Sequence, residues 1–126
     1  MAKYTSPLVL DAALTKVATA TRMTITSAQP ANFAGIAAVL LASAVQTAGV
    51  GGASYSALVA GDVSGRKVTV AAKNAIPITA SGNATHVNLD DGVNLLHCTT
   101  VTTQAVTSGN TANVGAYDVE FADVTP

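Results

Sequence analysis

Asp62-Val63-Ser64-Gly65-Arg66-Lys67-Val68-Thr69-Val70-Ala71 contains the pattern that decides the fold. Four residues of turn chemistry lead into a run in which Val68 and Val70 fall on one side while Lys67 and Thr69 fall on the other. A period of two with β-branched residues on the inner side is a half-buried strand. The same design repeats toward the C-terminus. Ile76 and Ile78 alternate around Pro77, which lacks a ladder donor and so predicts an edge strand. Ser81-Gly82-Asn83 predicts a turn before a strand at 85–89, and Asp90-Asp91-Gly92 predicts a solvent-facing turn before a long strand over 93–106. After Thr107-Ser108-Gly109-Asn110, a last strand over 114–121 turns Tyr117, Val119 and Phe121 inward and Asp118 and Glu120 outward.

Toward the N-terminus, residues 54–59 alternate again, and Gly49-Val50-Gly51-Gly52 is a flexible connection. The Ala-rich 34–48 region suits one turn of helix followed by a buried strand, and Arg22-Met23-Thr24-Ile25-Thr26 alternates until Pro30. Ser6-Pro7 is an N-cap with proline at the first helical position, and Leu10, Leu14 and Val17 recur at helical spacing, so a short helix is predicted over 7–19. Turn signals every 8 to 14 residues between short runs, with 17 Thr among them, predict a mainly β chain. The expected architecture is an antiparallel β-sandwich or jelly-roll-like domain over 1–126, with an N-terminal arm and short helix at 1–21 and a β core at 22–126.

The apolar half of the composition is dominated by 25 Ala and 16 Val, with two Phe, three Tyr and no Trp, so the core is built from small side chains. Charged residues make up 10%, against about 25% in ordinary soluble domains, and none occurs over 23–61. A membrane span does not explain this. The apolar run at 33–45 includes Ser43, is shorter than the roughly 20 residues a bilayer requires, and leads into polar, Gly-rich sequence. Asp11 interrupts the only segment that resembles the apolar stretch of a secretory signal. Six cations against seven carboxylates provide no patch able to neutralise many phosphates, so direct nucleic-acid binding is not expected.

No convergent catalytic set is visible, and neither a cofactor nor an enzymatic activity is expected. His86, His97 and Cys98 are the soft-ligand candidates, but adjacent strand residues point to opposite faces, so at most two of the three converge. Asp90-Asp91 reads as a turn and not as a cation site, since hard cations want six or more oxygens. Asp118, Glu120 and Asp123 form a solvated or interface face. Scarce aromatics also count against a carbohydrate-binding sandwich, which usually presents an exposed ring platform.

Three segments carry a resemblance: Ala60-Gly61-Asp62-Val63-Ser64-Gly65-Arg66-Lys67-Val68-Thr69-Val70-Ala71-Ala72-Lys73, Ala80-Ser81-Gly82-Asn83-Ala84-Thr85-His86-Val87, and Thr107-Ser108-Gly109-Asn110-Thr111. Together with Tyr4-Thr5-Ser6-Pro7, Leu10-Asp11-Ala12-Ala13-Leu14 and Ser27-Ala28-Gln29-Pro30, they resemble a family of small β-rich virion proteins of tailed bacteriophages. The resemblance implies a capsid decoration or cement protein, assembled in the host cytoplasm and bound on the capsid surface to the major capsid protein and to other copies of itself. A tail, neck or fibre-attachment component is the alternative it leaves open. The Gly-rich stretch at 49–53 and the few aromatics depart from the family pattern. A cement protein needs surface that packs and hydrogen-bonds without desolvating many charges. The termini and the uncharged 23–61 region are therefore the expected contact surface, with Tyr4, Leu8, Phe33, Ile36, Val39, Val50 and Tyr55 as its anchors.

Overall fold

The computed structural model describes residues 4–122. In chain order its elements are helix α1 (Pro7–Val17), strand β1 (Arg22–Thr26), a 3-10 turn (Phe33–Gly35), helix α2 (Ile36–Val39) and strands β2 (Leu40–Val45), β3 (Val59–Ala60), β4 (Arg66–Val70), β5 (Lys73–Pro77), β6 (Gly82–Asp90), β7 (Leu95–Val106), β8 (Thr111–Val114) and β9 (Tyr117–Phe121). Strand covers 46% of the chain and helix 15%, and every strand pairing is antiparallel, so the chain is mainly β with one short N-terminal helix.

The fold divides into two compact units. Among the described residues the first contains 4–19, 47–72 and 116–122, and the second 20–46 and 73–115. The first unit holds the three-stranded sheet β3-β4-β9, with α1 packed on β4 and β9. Ser6 caps α1 by accepting from the Leu8 amide at 3.2 Å, and Leu14 and Val17 are buried. Val68, Val70 and Val119 bury the inner side of the sheet while Asp118 and Glu120 stay exposed. Tyr55 bridges Val70 and is 1% exposed. Residues 54–59 do not form the continuous strand their alternation predicts. Ser54 lies in a bend and residues 56–58 in no regular element, and the Ser56 hydroxyl accepts the Thr69 amide at 2.9 Å, which replaces a ladder bond with a side-chain bond.

The second unit holds the four-stranded sheet β2-β1-β6-β7 and the pair β5-β8. Met23, Ile25, Val87 and Leu89 share its apolar side. The opposite side carries a buried polar row, in which the Asn88 amide donates to Thr24 Oγ1 at 3.2 Å and to Thr26 Oγ1 at 3.1 Å. The 34–48 region is a turn of helix followed by a strand, as its composition predicts. The predicted last strand over 114–121 is instead two strands, β8 and β9, one in each unit, separated at Gly115 and Ala116. β6 begins at Gly82, so the predicted turn at 81–83 is largely strand. In β5, Ala75 has φ +56 at an irregularity of the ladder and is held there by Asn113 Oδ1, which accepts its amide at 2.8 Å.

Gln46 is 3% exposed, its backbone amide donates to Thr21 at 2.8 Å, and neither Nε2 nor Oε1 has a hydrogen-bond partner. A buried amide without partners costs about 1–3 kcal/mol. Gln46→Met, which keeps the length and removes both polar atoms, is therefore expected to raise stability by about 1 kcal/mol, read as a higher urea midpoint at unchanged slope.

Candidate interaction surface

The expected anchors separate into two groups. Tyr4, just ahead of α1, and Leu8, in its first turn, are 81% and 78% exposed, with Val9 exposed beside Leu8. Val50 is exposed in the connection where Gly49 and Gly51 adopt positive φ. Phe33 is half-buried beneath the Arg22 guanidinium, 5.5 Å from its ring centre, and Val39 is half-buried at the end of α2. Ile36 and Tyr55 are each 1% exposed and are core residues, which removes them from the candidate surface. Their apolar character reads the same in sequence whether the tertiary structure covers them or not. The parts of the termini at 1–3 and 123–126, Asp123 included, lie outside the described residues.

The uncharged 23–61 region is likewise only partly surface. Met23, Thr24, Ile25 and Thr26 are buried because β1 is flanked by β2 and β6, so much of that charge-free stretch reflects sheet interior. Its exposed parts are turns, the outer side of α2 at Ala37 and Ala38, and strand ends, among them Val45 at 78% and Val59 at 43%. A second stretch without Asp, Glu, Lys or Arg runs over 92–117 and includes β7, whose residues 100–105 are all exposed. The absence of charge across that long Thr-rich run is the sequence signal that points to this second surface. Val63 and Val93, 96% and 73% exposed, add single apolar side chains at loops.

Charge is spent internally. Arg66 pairs with Asp11 at 2.7 Å, Lys67 with Asp62 at 2.6 Å and Asp118 at 3.3 Å, and Arg22 with Asp90 at 3.0 Å. Of the five cations among the described residues, these three are in intramolecular pairs, which leaves Lys16 and Lys73. Asp90 is not the solvent-facing turn residue expected: it is 0% exposed, with Oδ2 on Arg22 and Oδ1 accepting the Gly92 amide at 3.0 Å. Asp91 makes the turn instead, accepting the Val93 and Asn94 amides at 2.9 and 2.7 Å, with Gly92 at φ +89.

Hydrogen bonds to Asp62 and Asp118 push the Lys67 ammonium above its usual range, and the Thr69 hydroxyl, with Lys67, holds the Asp118 carboxyl below its own. Both shifts fix the charged forms, whereas proton transfer near neutrality needs them moved toward neutrality. Burial raises the Cys98 thiol, which favours its unreactive protonated form. His86 pairs with Thr100 and His97 with Leu89, an odd number of positions away along β6, so the two imidazoles lie on opposite sides of the sheet. Among the described residues no group of three or more His, Cys, Asp or Glu is placed to hold a metal ion, and no helix is long and apolar enough to cross a membrane.

His97 is half-buried with Nδ1 unpartnered, and burial lowers its basicity below the ordinary value of 6.5. Below that value the unfolded chain takes up a proton that the folded chain resists, so stability is full above about pH 6.5 and falls as the pH drops toward the folded value. Urea melts at pH 7 and pH 5.5 are expected to show this loss in the natural chain and a smaller one in His97→Gln.

No protein-family model, curated protein or solved structure matches this chain.

Proposed function

We propose that this chain is a virion structural protein, a capsid decoration or cement protein that binds over the major capsid protein and stabilises the shell. The observation that carries this reading is the character of the free surface: exposed Tyr4 ahead of α1, exposed Leu8 and Val9 in its first turn, and exposed uncharged β7, with three cations already neutralised within the chain. Such a surface buries against protein with little charge desolvation, which is what a partner spread across neighbouring capsomers requires. The resemblance of 60–73, 80–87 and 107–111 to small phage virion proteins supports the same class.

The reading takes the antiparallel sheets as parts of a β-sandwich of the jelly-roll kind. The one-sided burial of β4, with Val68 and Val70 covered and Lys67 and Thr69 partly open, supports this. Binding adds buried area across capsomer junctions and so raises the barrier to shell rupture. Particles assembled with and without the protein are expected to differ in the temperature at which they release their contents. Equal heat resistance overturns the stabilising role. Hundreds of copies per particle are expected, because shell symmetry sets the stoichiometry, whereas a few dozen place the protein on the tail axis. Leu8→Asp is expected to weaken particle binding without lowering the melting temperature of the free chain, since Leu8 is 78% exposed.

A further inference from the structure

We infer that the outer edge of β7 is a strand-pairing surface for a second copy of this chain, the two β7 strands meeting antiparallel about a two-fold axis near Thr102. This goes beyond the capsid reading and stands or falls without it, because it concerns the purified chain alone.

β7 is the terminal strand of its sheet, paired with β6 on one side only. An edge strand presents a row of free N–H and C=O groups, and folded proteins normally blunt it with charge, proline, short length, a bulge or a covering segment. The other edges among the described residues show these devices. β2 is covered by residues 78–80, where the Thr79 and Ala80 amides donate to the Leu41 carbonyl at 2.8 and 3.3 Å and Ile78 bridges Ala42. β9 carries Asp118 and Glu120, β3 is two residues long, β5 contains Lys73 and Pro77, and β8 has four residues. β7 has twelve residues, Leu-Leu-His-Cys-Thr-Thr-Val-Thr-Thr-Gln-Ala-Val, with no Asp, Glu, Lys, Arg, Pro or Gly. Its ladder is irregular opposite Thr85, where extra β7 residues intervene between the Ala84–Gln104 and His86–Thr100 pairs. That bulge is the one blunting device β7 has; it falls at 101–103, adds no charge and removes no donor, so it curves the edge without closing it, and a partner strand must follow the same curve.

The lack of charge selects the occupant. In a two-fold antiparallel contact each residue meets itself or its symmetry mate, so an acidic or basic side chain near the axis would meet its own sign. No Asp, Glu, Lys or Arg occurs over 92–117, which is the condition self-pairing imposes and one that pairing with an oppositely charged strand would not impose. Near Thr102 the facing residues would be Thr100 with Gln104 and Val101 with Thr103, all exposed in the single chain and able to pair hydroxyl, amide and β-branched groups. Joining two four-stranded sheets this way makes one continuous eight-stranded sheet.

The test is sedimentation of the full purified chain from roughly 1 μM to 1 mM, the span in which a contact smaller than a standard interface associates. A dimer fraction rising with concentration is expected. Thr102→Lys and Thr102→Glu, at an exposed position where melting temperature should not change, are each expected to move dimerisation at least tenfold higher in concentration. An equimolar mixture of the two is expected to restore it. A natural chain that stays monomeric throughout overturns the inference, as do variants that dimerise like the natural chain or a mixture that does not recover. A monomeric chain whose β7 amides become protected from hydrogen exchange only on capsids also overturns it, and assigns the edge to a shell strand.

Discussion

Gly65→Ala is expected to cost about 3 kcal/mol or more, a large share of the 5–15 kcal/mol that holds a domain folded. Two penalties combine at this residue. Its φ of +73 costs an L side chain about 1–2 kcal/mol. An added Cβ would also overlap the Phe121 carbonyl oxygen and lie 2.8 Å from Ala122 Cα, both of which are backbone. β9 must then move off β4, and with it the Arg66–Phe121 and Lys67–Glu120 pairs at the end of that ladder. Gly92→Ala separates the two penalties, because Gly92 has φ +89 but nothing within 4 Å of its would-be Cβ. It should lose only about 1 kcal/mol. Equal losses in chemical denaturation would show that β9 yields freely and that the steric argument is wrong.

Asp90→Ala is expected to destabilise by about 2–4 kcal/mol, because it leaves the Arg22 guanidinium and the Gly92 amide without their carboxylate in a site where the side chain is fully buried. Arg22 is 35% exposed, so water takes up part of the lost interaction and holds the cost below that of a fully buried broken pair. Asp90→Asn keeps an oxygen for Gly92 and gives up the charge, and about half of the loss is expected. A double-mutant cycle with Arg22→Ala should show coupling of the two side chains of about 1 kcal/mol or more. Additive losses would mean that the ion pair contributes nothing beyond the turn.

How far local pattern reached into this fold can be judged from particular elements. Ser6 and Pro7 with Leu14 and Val17 specify α1, and Val68 and Val70 specify the inner side of β4, because caps and periodicity are properties of neighbours in the chain. The same reasoning joins β8 to β9, passing over Gly115, although an isolated Gly inside a strand pattern signals a break or bulge. The strands nevertheless belong to different units, with β8 pairing β5 and β9 pairing β4. Partner choice between strands is a long-range matter that alternation does not encode. The candidate surface shows the same division. Tyr4 and Leu8 are as apolar as Tyr55 and Ile36, and only the packing around them leaves the first pair at the surface and the second in the core.

For the feature on which the proposals rest, sequence by itself determined that charge is sparse, that two long stretches lack it altogether, and that the chain is mainly antiparallel β with an N-terminal helix. Tertiary structure decided what those stretches do. Pairing on both sides turned β1, in the first stretch, into sheet interior, and the same sheet order left β7, in the second, at an open edge. An uncharged strand is compatible with either position. Which one it takes depends on how many neighbours satisfy its backbone, and that count exists only once the sheet has formed.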